Sequence, residues 1–151
     1  MNQAARHGYR GYVTSRPFGK YAIPVPVQSL VLRDYCAHNK LFFILPVNEN
    51  IFPNSFMVLE GLIRDLSAYE GIVMCSMHML PTRVEARKAV VERVLSQGCS
   101  MHFALEATVV STPKDLARIE ELLTLSGAAA GQNQLRTLKA ALATSENSIS
   151  E

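Results

Sequence analysis

Thr14, Ser15 and Arg16 follow directly on an apolar stretch, and Lys20 lies a little further along the same loop. Hydroxyls beside cations suit two kinds of chemistry. A guanidinium presents a planar fork that holds the paired oxygens of phosphate or carboxylate, and a serine hydroxyl serves either as a nucleophile or as a hydrogen-bonding contact. His78 lies just past a second apolar stretch, where an imidazole can act as general acid or base. Glu106 ends a third, as a site carboxylate or as a cap for the next turn. Ser15, His78 and Glu106 are therefore the candidate catalytic groups. Thr14, Arg16, Lys20, Asn48, Glu49, Ser76, Arg83 and Arg87 are the candidate binding groups. Arg83 and Arg87 are one turn apart near an expected helix start, where the macrodipole favours an anion. His102 falls inside an expected strand and reads as structural, while His7 and His38 read as surface residues.

The elements that must position these groups alternate regularly. Gly8 to Thr14 reads as a first strand, followed by a loop marked by Pro17, Pro24 and Pro26. Val27, Leu30, Val31 and Tyr35 recur at helical spacing, with a stop near Asn39. Leu41 to Leu45 is short and continuously apolar, as a strand covered on both faces should be, and Pro46 ends it. Phe56, Leu59, Ile63 and Leu66 trace a second helix, and Gly71 to Met77 a third strand. Thr82 and Glu85 form a capping box for a third helix, with Val84, Val91 and Leu95 on its apolar face and Gly98 as its stop. Ser100 to Leu105 is a fourth strand, running into Glu106. Thr112, Pro113 and Asp115 start a fourth helix. A break follows at 127–131, then a last helix over 132–143 and a frayed tail over 144–151. The expected organisation is one domain over 1–143 with a flexible tail at 144–151.

Such βα alternation implies an α/β fold, a three-layer open sheet of about four mainly parallel strands with helices on both faces. Ligands of such sheets bind beyond the carboxyl ends of the strands, where most of the candidate groups fall.

Composition narrows the classes. The chain has 151 residues, of which 48% are hydrophobic and 19% charged, enough apolar content for a sizeable core. A net charge of +2 gives no sign of a nucleic-acid or anionic-membrane partner. No apolar run reaches membrane-spanning length and no signal core opens the chain, so a cytoplasmic protein is expected. Cys36, Cys75 and Cys99 are odd in number and read as buried thiols rather than a disulfide framework. No His, Cys, Asp or Glu grouping has metal-ligand spacing, so neither metal nor cofactor is expected. The loop from Lys20 to Gln28 is apolar for a loop and reads as a lid or a subunit contact, hence an expected homo-oligomer. No glycine-rich phosphate loop or nucleophile-elbow motif is present.

Tyr9-Arg-Gly-Tyr-Val-Thr-Ser-Arg-Pro-Phe-Gly19, Ile23-Pro-Val-Pro-Val-Gln28, Leu32-Arg-Asp-Tyr-Cys36 and Ser76-Met-His-Met-Leu-Pro81 together resemble the sporadic carbohydrate cluster proteins. These are small bacterial proteins encoded among genes for surface polysaccharides, and the likeness runs over residues 8–125. It implies a setting in O-antigen or similar glycan synthesis, and it brings no established reaction. A fainter resemblance is to serine recombinase catalytic domains, which place a serine just after the first strand. Val13-Thr-Ser15, Gln28 and Leu32-Arg-Asp-Tyr-Cys36 are similar to that layout, which would make Ser15 the nucleophile in a flavodoxin- or resolvase-like fold. The departures are that family's arginine two residues before its serine, here Val13, and its Asp-Arg pair after the third strand, where His78 and Met79 stand. No DNA-binding domain is legible after residue 143.

The expectation is a small enzyme of surface-carbohydrate synthesis that binds or modifies a sugar phosphate or nucleotide sugar, with no nucleic-acid partner. The alternatives are a noncatalytic partner of a glycan-pathway enzyme and, more remotely, DNA strand exchange through Ser15.

Overall fold

The structure is a computed structural model that describes residues 5–149. The chain divides into two compact units, 1–117 and 118–151. Five strands lie in one sheet of order β2-β1-β3-β4-β5: β1 (Tyr9–Thr14), β2 (Phe43–Glu49), β3 (Gly71–Met74), β4 (Ser100–Phe103) and β5 (Thr108–Val110). The first four are mutually parallel, and β5 returns antiparallel to β4. The α/β class is as expected. The added strand arises because the chain turns through Ala104 to Ala107, with Ala107 at φ +48°, instead of running straight past Glu106. Three helices cross between the parallel strands: α1 (Val25–His38), α2 (Met57–Arg64) and α3 (Val84–Ser96). α1 packs on β1 and β2, while α2 and α3 pack on one another.

β3 is the centre of the core, with all four residues buried. β2 corrects an expectation: it is an edge strand, mostly part-buried rather than fully covered, and it continues through Pro46 to Glu49. Proline is tolerated at an edge because it removes one ladder donor. The register with β1 slips there, between Arg10 and Tyr12. A Cβ at Gly11 would stand 2.9 Å from both the Phe43 ring and the Pro46 Cβ, so the glycine makes room for the irregularity. Phe42 and Leu45 are correspondingly exposed.

α3 also departs from its expected start. Its N-cap is Arg83, which makes no side-chain cap, so the Thr82–Glu85 capping box is not formed. Arg87 instead reaches back one turn and donates through Nη1 to the carbonyls of Pro81 and Thr82, both at 3.1 Å. That fixes the loop without the threonine hydroxyl.

The helix α4 runs from Pro113 to Ile149, through the expected break at Gly127 and Gly131 and through most of the expected tail. Three alanines between the glycines carry the highest helix propensity and offset their cost of about 1 kcal/mol each. The tail residues 150 and 151 lie outside the described residues. Asp115 Oδ2 accepts from the amides of Ser111 and Thr112, both at 3.0 Å, and these bonds hold its carboxyl below the usual range. No helix among the described residues is long and apolar enough to cross a membrane.

His102 sits on β4 as the structural histidine it was expected to be. Its Nδ1 pairs with the Tyr35 hydroxyl at 2.8 Å and its ring meets the Tyr9 ring edge-on. Burial lowers its pKa below the ordinary 6.5. The unfolded chain therefore binds a proton that the folded one refuses, and stability should fall as pH drops below about 6.5. Urea unfolding between pH 7 and pH 5 should show a shallower decline in His102→Phe, and equal slopes would remove His102 as a source.

Candidate functional site

The strand order reverses between β1 and β3, because β1 leads to β2 on one side and β3 leads to β4 on the other. A crevice beyond the carboxyl ends of strands at such a switch point is where open α/β sheets bind ligands. A cleft of about 410 Å³ opens there. Its walls come from the segment after β1 (Thr14 to Phe18), the segment after β2 (Ile51 to Phe56) and the turn after β3 (His78 to Leu80).

Ser15 is exposed on the cleft, and its hydroxyl makes no hydrogen bond among the described residues. Arg16 is held from several sides. Its backbone amide donates to Thr14 Oγ1 at 3.2 Å, its Nη1 donates to the Phe52 carbonyl at 2.9 Å, and its guanidinium lies 4.9 Å from the centre of the Phe56 ring. The guanidinium carries five donors in a rigid fork, so one backbone contact leaves others for a ligand. His78 lines the opposite wall, its backbone amide bound to Ser76 Oγ at 3.1 Å. Gly19 lies against the His78 ring at φ +58°, where a Cβ would approach the ring to 2.9 Å. Only glycine meets both conditions without strain, so the loop after β1 closes down onto the imidazole.

Two buried side chains hold this arrangement, Gln28 and Glu49, and the sequence had assigned neither of them this supporting role. Gln28, on the first turns of α1 and 0% exposed, donates through Nε2 to the carbonyls of Thr14 (2.6 Å) and Ile23 (2.7 Å) and accepts from the Thr14 amide (3.1 Å). Its carboxamide thus completes the end of β1, where the ladder to β3 has already stopped at Tyr12. Glu49, expected as a ligand contact, is 3% exposed and turned inward. It accepts from the Tyr12 hydroxyl (2.8 Å) and the amides of Asn50 (3.0 Å), Val58 (3.1 Å) and Leu59 (3.0 Å). Burial and Glu49 push the Tyr12 phenol well above its usual range, and Arg16 acts against that shift.

The remaining expected residues divide. Thr14 lines the cleft although largely buried, and Thr82 also reaches it. Ser76 and Glu106 pair away from it: Ser76 Oγ donates to Glu106 Oε1 at 2.5 Å, and the Met77 amide donates to the same oxygen at 3.2 Å. Glu106 Oε2 is buried with no partner among the described residues. Arg87 is locked in its loop, 8% exposed. Lys20 is exposed, 5.7 Å from the Tyr21 ring centre, and does not line the cleft. Asn48 is exposed on the edge strand and Arg83 on a neighbouring groove. The apolar 20–28 segment is partly absorbed into the first turn of α1. All three cysteines are buried and free of disulfides, and burial pushes the Cys36 thiol up to about 11 and the Cys75 thiol to about 12, far from thiolate reactivity.

No protein-family model matches the chain, and no curated protein matches it. Solved structures do. A resolvase family site-specific recombinase from Streptococcus pneumoniae is similar at TM-score 0.55 and 9% identity, covering 91% of this chain and 99% of that one. The N-terminal catalytic domain of TP901-1 integrase is similar at TM-score 0.54 and 13% identity, covering 83% and 96%. The fold is that of recombinase catalytic domains. At these identities the likeness concerns architecture alone. It bears out the fold-level resemblance and lends none to the carbohydrate cluster family. It also overturns the exclusion of nucleic acid as a partner, since the same fold serves site-specific recombination. The exclusion rested on the lack of a legible DNA-binding domain and on a net charge of +2, which is an average and does not describe a local surface.

Proposed function

We propose that the cleft at the β1–β3 switch point binds a phosphate ester, with Arg16 on the anion, the Ser15 hydroxyl at the phosphorus and His78 across from it as proton donor or acceptor. The observation that carries this reading is the unbonded Ser15 hydroxyl next to a guanidinium at the switch point. The walls are otherwise mostly apolar, including Pro17, Phe18, Ile51 and Leu80. That composition suits a small organic phosphate, and a phosphorylated sugar in surface-carbohydrate synthesis is the finer form of the proposal. Calorimetry with glucose 1-phosphate tests it. Arg16→Ala should weaken binding by about 1.5–3 kcal/mol, the range for hydrogen bonds to a charged group, while Lys20→Ala should leave it unchanged. Equal affinity in wild type and Arg16→Ala would remove the guanidinium from the site.

A second reading is favoured by the two recombinase structures. The phosphate would then be a DNA phosphodiester: Ser15 Oγ would bond to phosphorus, a sugar oxygen would leave with a proton, and the hydroxyl proton would pass to a base. Incubation with duplex DNA should then give a denaturant-stable protein–DNA adduct that Ser15→Ala abolishes. Glucose 1-phosphate binding without an adduct supports the first reading, and an adduct the second.

A further inference from the structure

A second groove of about 350 Å³ runs between α2 and α3, and three residues, Asn54, Phe56 and Thr82, line both it and the switch-point cleft. The two spaces therefore adjoin across a shared wall that includes the Phe56 ring, whose face also carries Arg16. Ala86, Ala89 and Val90 of α3 line the groove with short apolar side chains. At the end next to the cleft stands Arg83, exposed, its guanidinium without a hydrogen bond or ion pair among the described residues. At the other end Arg93 is paired with Glu60.

We infer that cleft and groove form one bipartite site for a nucleoside diphosphate or its ester. The first phosphate lies at Ser15 and Arg16, the second at Arg83, and the nucleoside rests on the alanines of α3 against Phe56. This deepens the phosphate-ester reading and rests on it. A cation stands at each side of the shared wall, as two linked phosphates require, and the groove beyond Arg83 offers the short apolar side chains of α3 and an aromatic ring, as a base requires. Glu60 already neutralises Arg93, so the excess positive charge of the groove sits at the wall and not at the far end.

The experiment is calorimetric titration of the full chain with ADP, GDP, UDP, CDP and dTDP in turn, and with glucose 1-phosphate as the probe that needs only the cleft. At least one nucleoside diphosphate should bind about 10-fold or more tightly than glucose 1-phosphate. Ala89→Trp, at an exposed position, fills the groove and should reduce nucleoside diphosphate affinity about 10-fold while leaving glucose 1-phosphate unchanged. Arg83→Ala should do the same, at a scale set by one lost charge-assisted contact. If glucose 1-phosphate binds and no nucleoside diphosphate binds more tightly, or if Ala89→Trp leaves both unaffected, the bipartite site is overturned and the cleft reading stands. If none of the six probes binds, both fall together.

Discussion

Glu49→Ala is expected to lower the unfolding free energy by roughly 3–5 kcal/mol, because it strands several donors at about 1–3 kcal/mol for each one left buried and unsatisfied. Four donors converge on this carboxylate: the Tyr12 hydroxyl and the amides of Asn50, Val58 and Leu59. Alanine leaves all four without their acceptor. The Val58 and Leu59 amides belong to the first turn of α2, where no intrahelical carbonyl can replace it, so the carboxylate is what seats that helix on the end of β2. Glu49→Gln separates charge from shape. Both carboxylate oxygens accept from backbone amides, so either orientation of a glutamine sets its NH2 against a backbone N–H. A loss of about 1–3 kcal/mol is expected for glutamine, the cost of a buried group left unsatisfied. Urea unfolding at neutral pH checks both, and a loss below about 1 kcal/mol in Glu49→Ala would sink the account. A site effect should accompany it. Tyr12 lies between Glu49 and Arg16, and residues 51–56 form one wall of the cleft, so a folded Glu49→Gln protein should still bind glucose 1-phosphate less tightly than wild type.

The sequence held the fold class and the position of the candidate cleft more clearly than it held the roles of the residues around it. The β1, β3 and β4 stretches were legible because apolar runs between turn signals are local features, and Ser15, Arg16 and His78 fall on the cleft because chain order at strand ends is local too. Strand order is not local, and this misled the reading of β2: five apolar residues at 41–45 fit a central strand equally well, and only the placement of β1 beside β3 leaves β2 at the edge. The phase of α1 failed for a related reason. Apolar residues surround that helix, so Val27 and Leu30 looked like its core face, yet they are exposed while Gln28, Leu32 and Cys36 are buried. A polar residue at four-residue spacing from Leu32 and Cys36 was the available signal. Glu49 and Arg87 were misread as ligand contacts because a charged side chain near a strand end serves an external anion or the protein's own backbone equally well. Only burial and partner geometry separate those uses, and both are tertiary facts.

Gln28 gives the sharpest test of how the site is held. Its carboxamide fills the role a neighbouring strand would have, pairing with both the amide and the carbonyl of Thr14 and tying in Ile23 across the loop. Gln28→Ala should lower stability by roughly 3 kcal/mol, from a buried amide and carbonyl left unpaired plus lost packing. Gln28→Leu restores most of the volume and none of the hydrogen bonds, so the difference between the two variants measures packing and their common loss measures polar satisfaction. Gln28→Glu should be the worst of the three at neutral pH, because the position that now donates to two carbonyls would carry a carboxylate oxygen facing both. Ser15 and Arg16 follow Thr14 directly, so the loosening should reach the ligand groups. Hydrogen exchange at residues 14–24 should quicken in Gln28→Leu more than exchange in β3, and glucose 1-phosphate affinity should fall with it. Unchanged exchange over 14–24 in a variant that has lost stability would mean that Gln28 supports the core and leaves the cleft to other contacts.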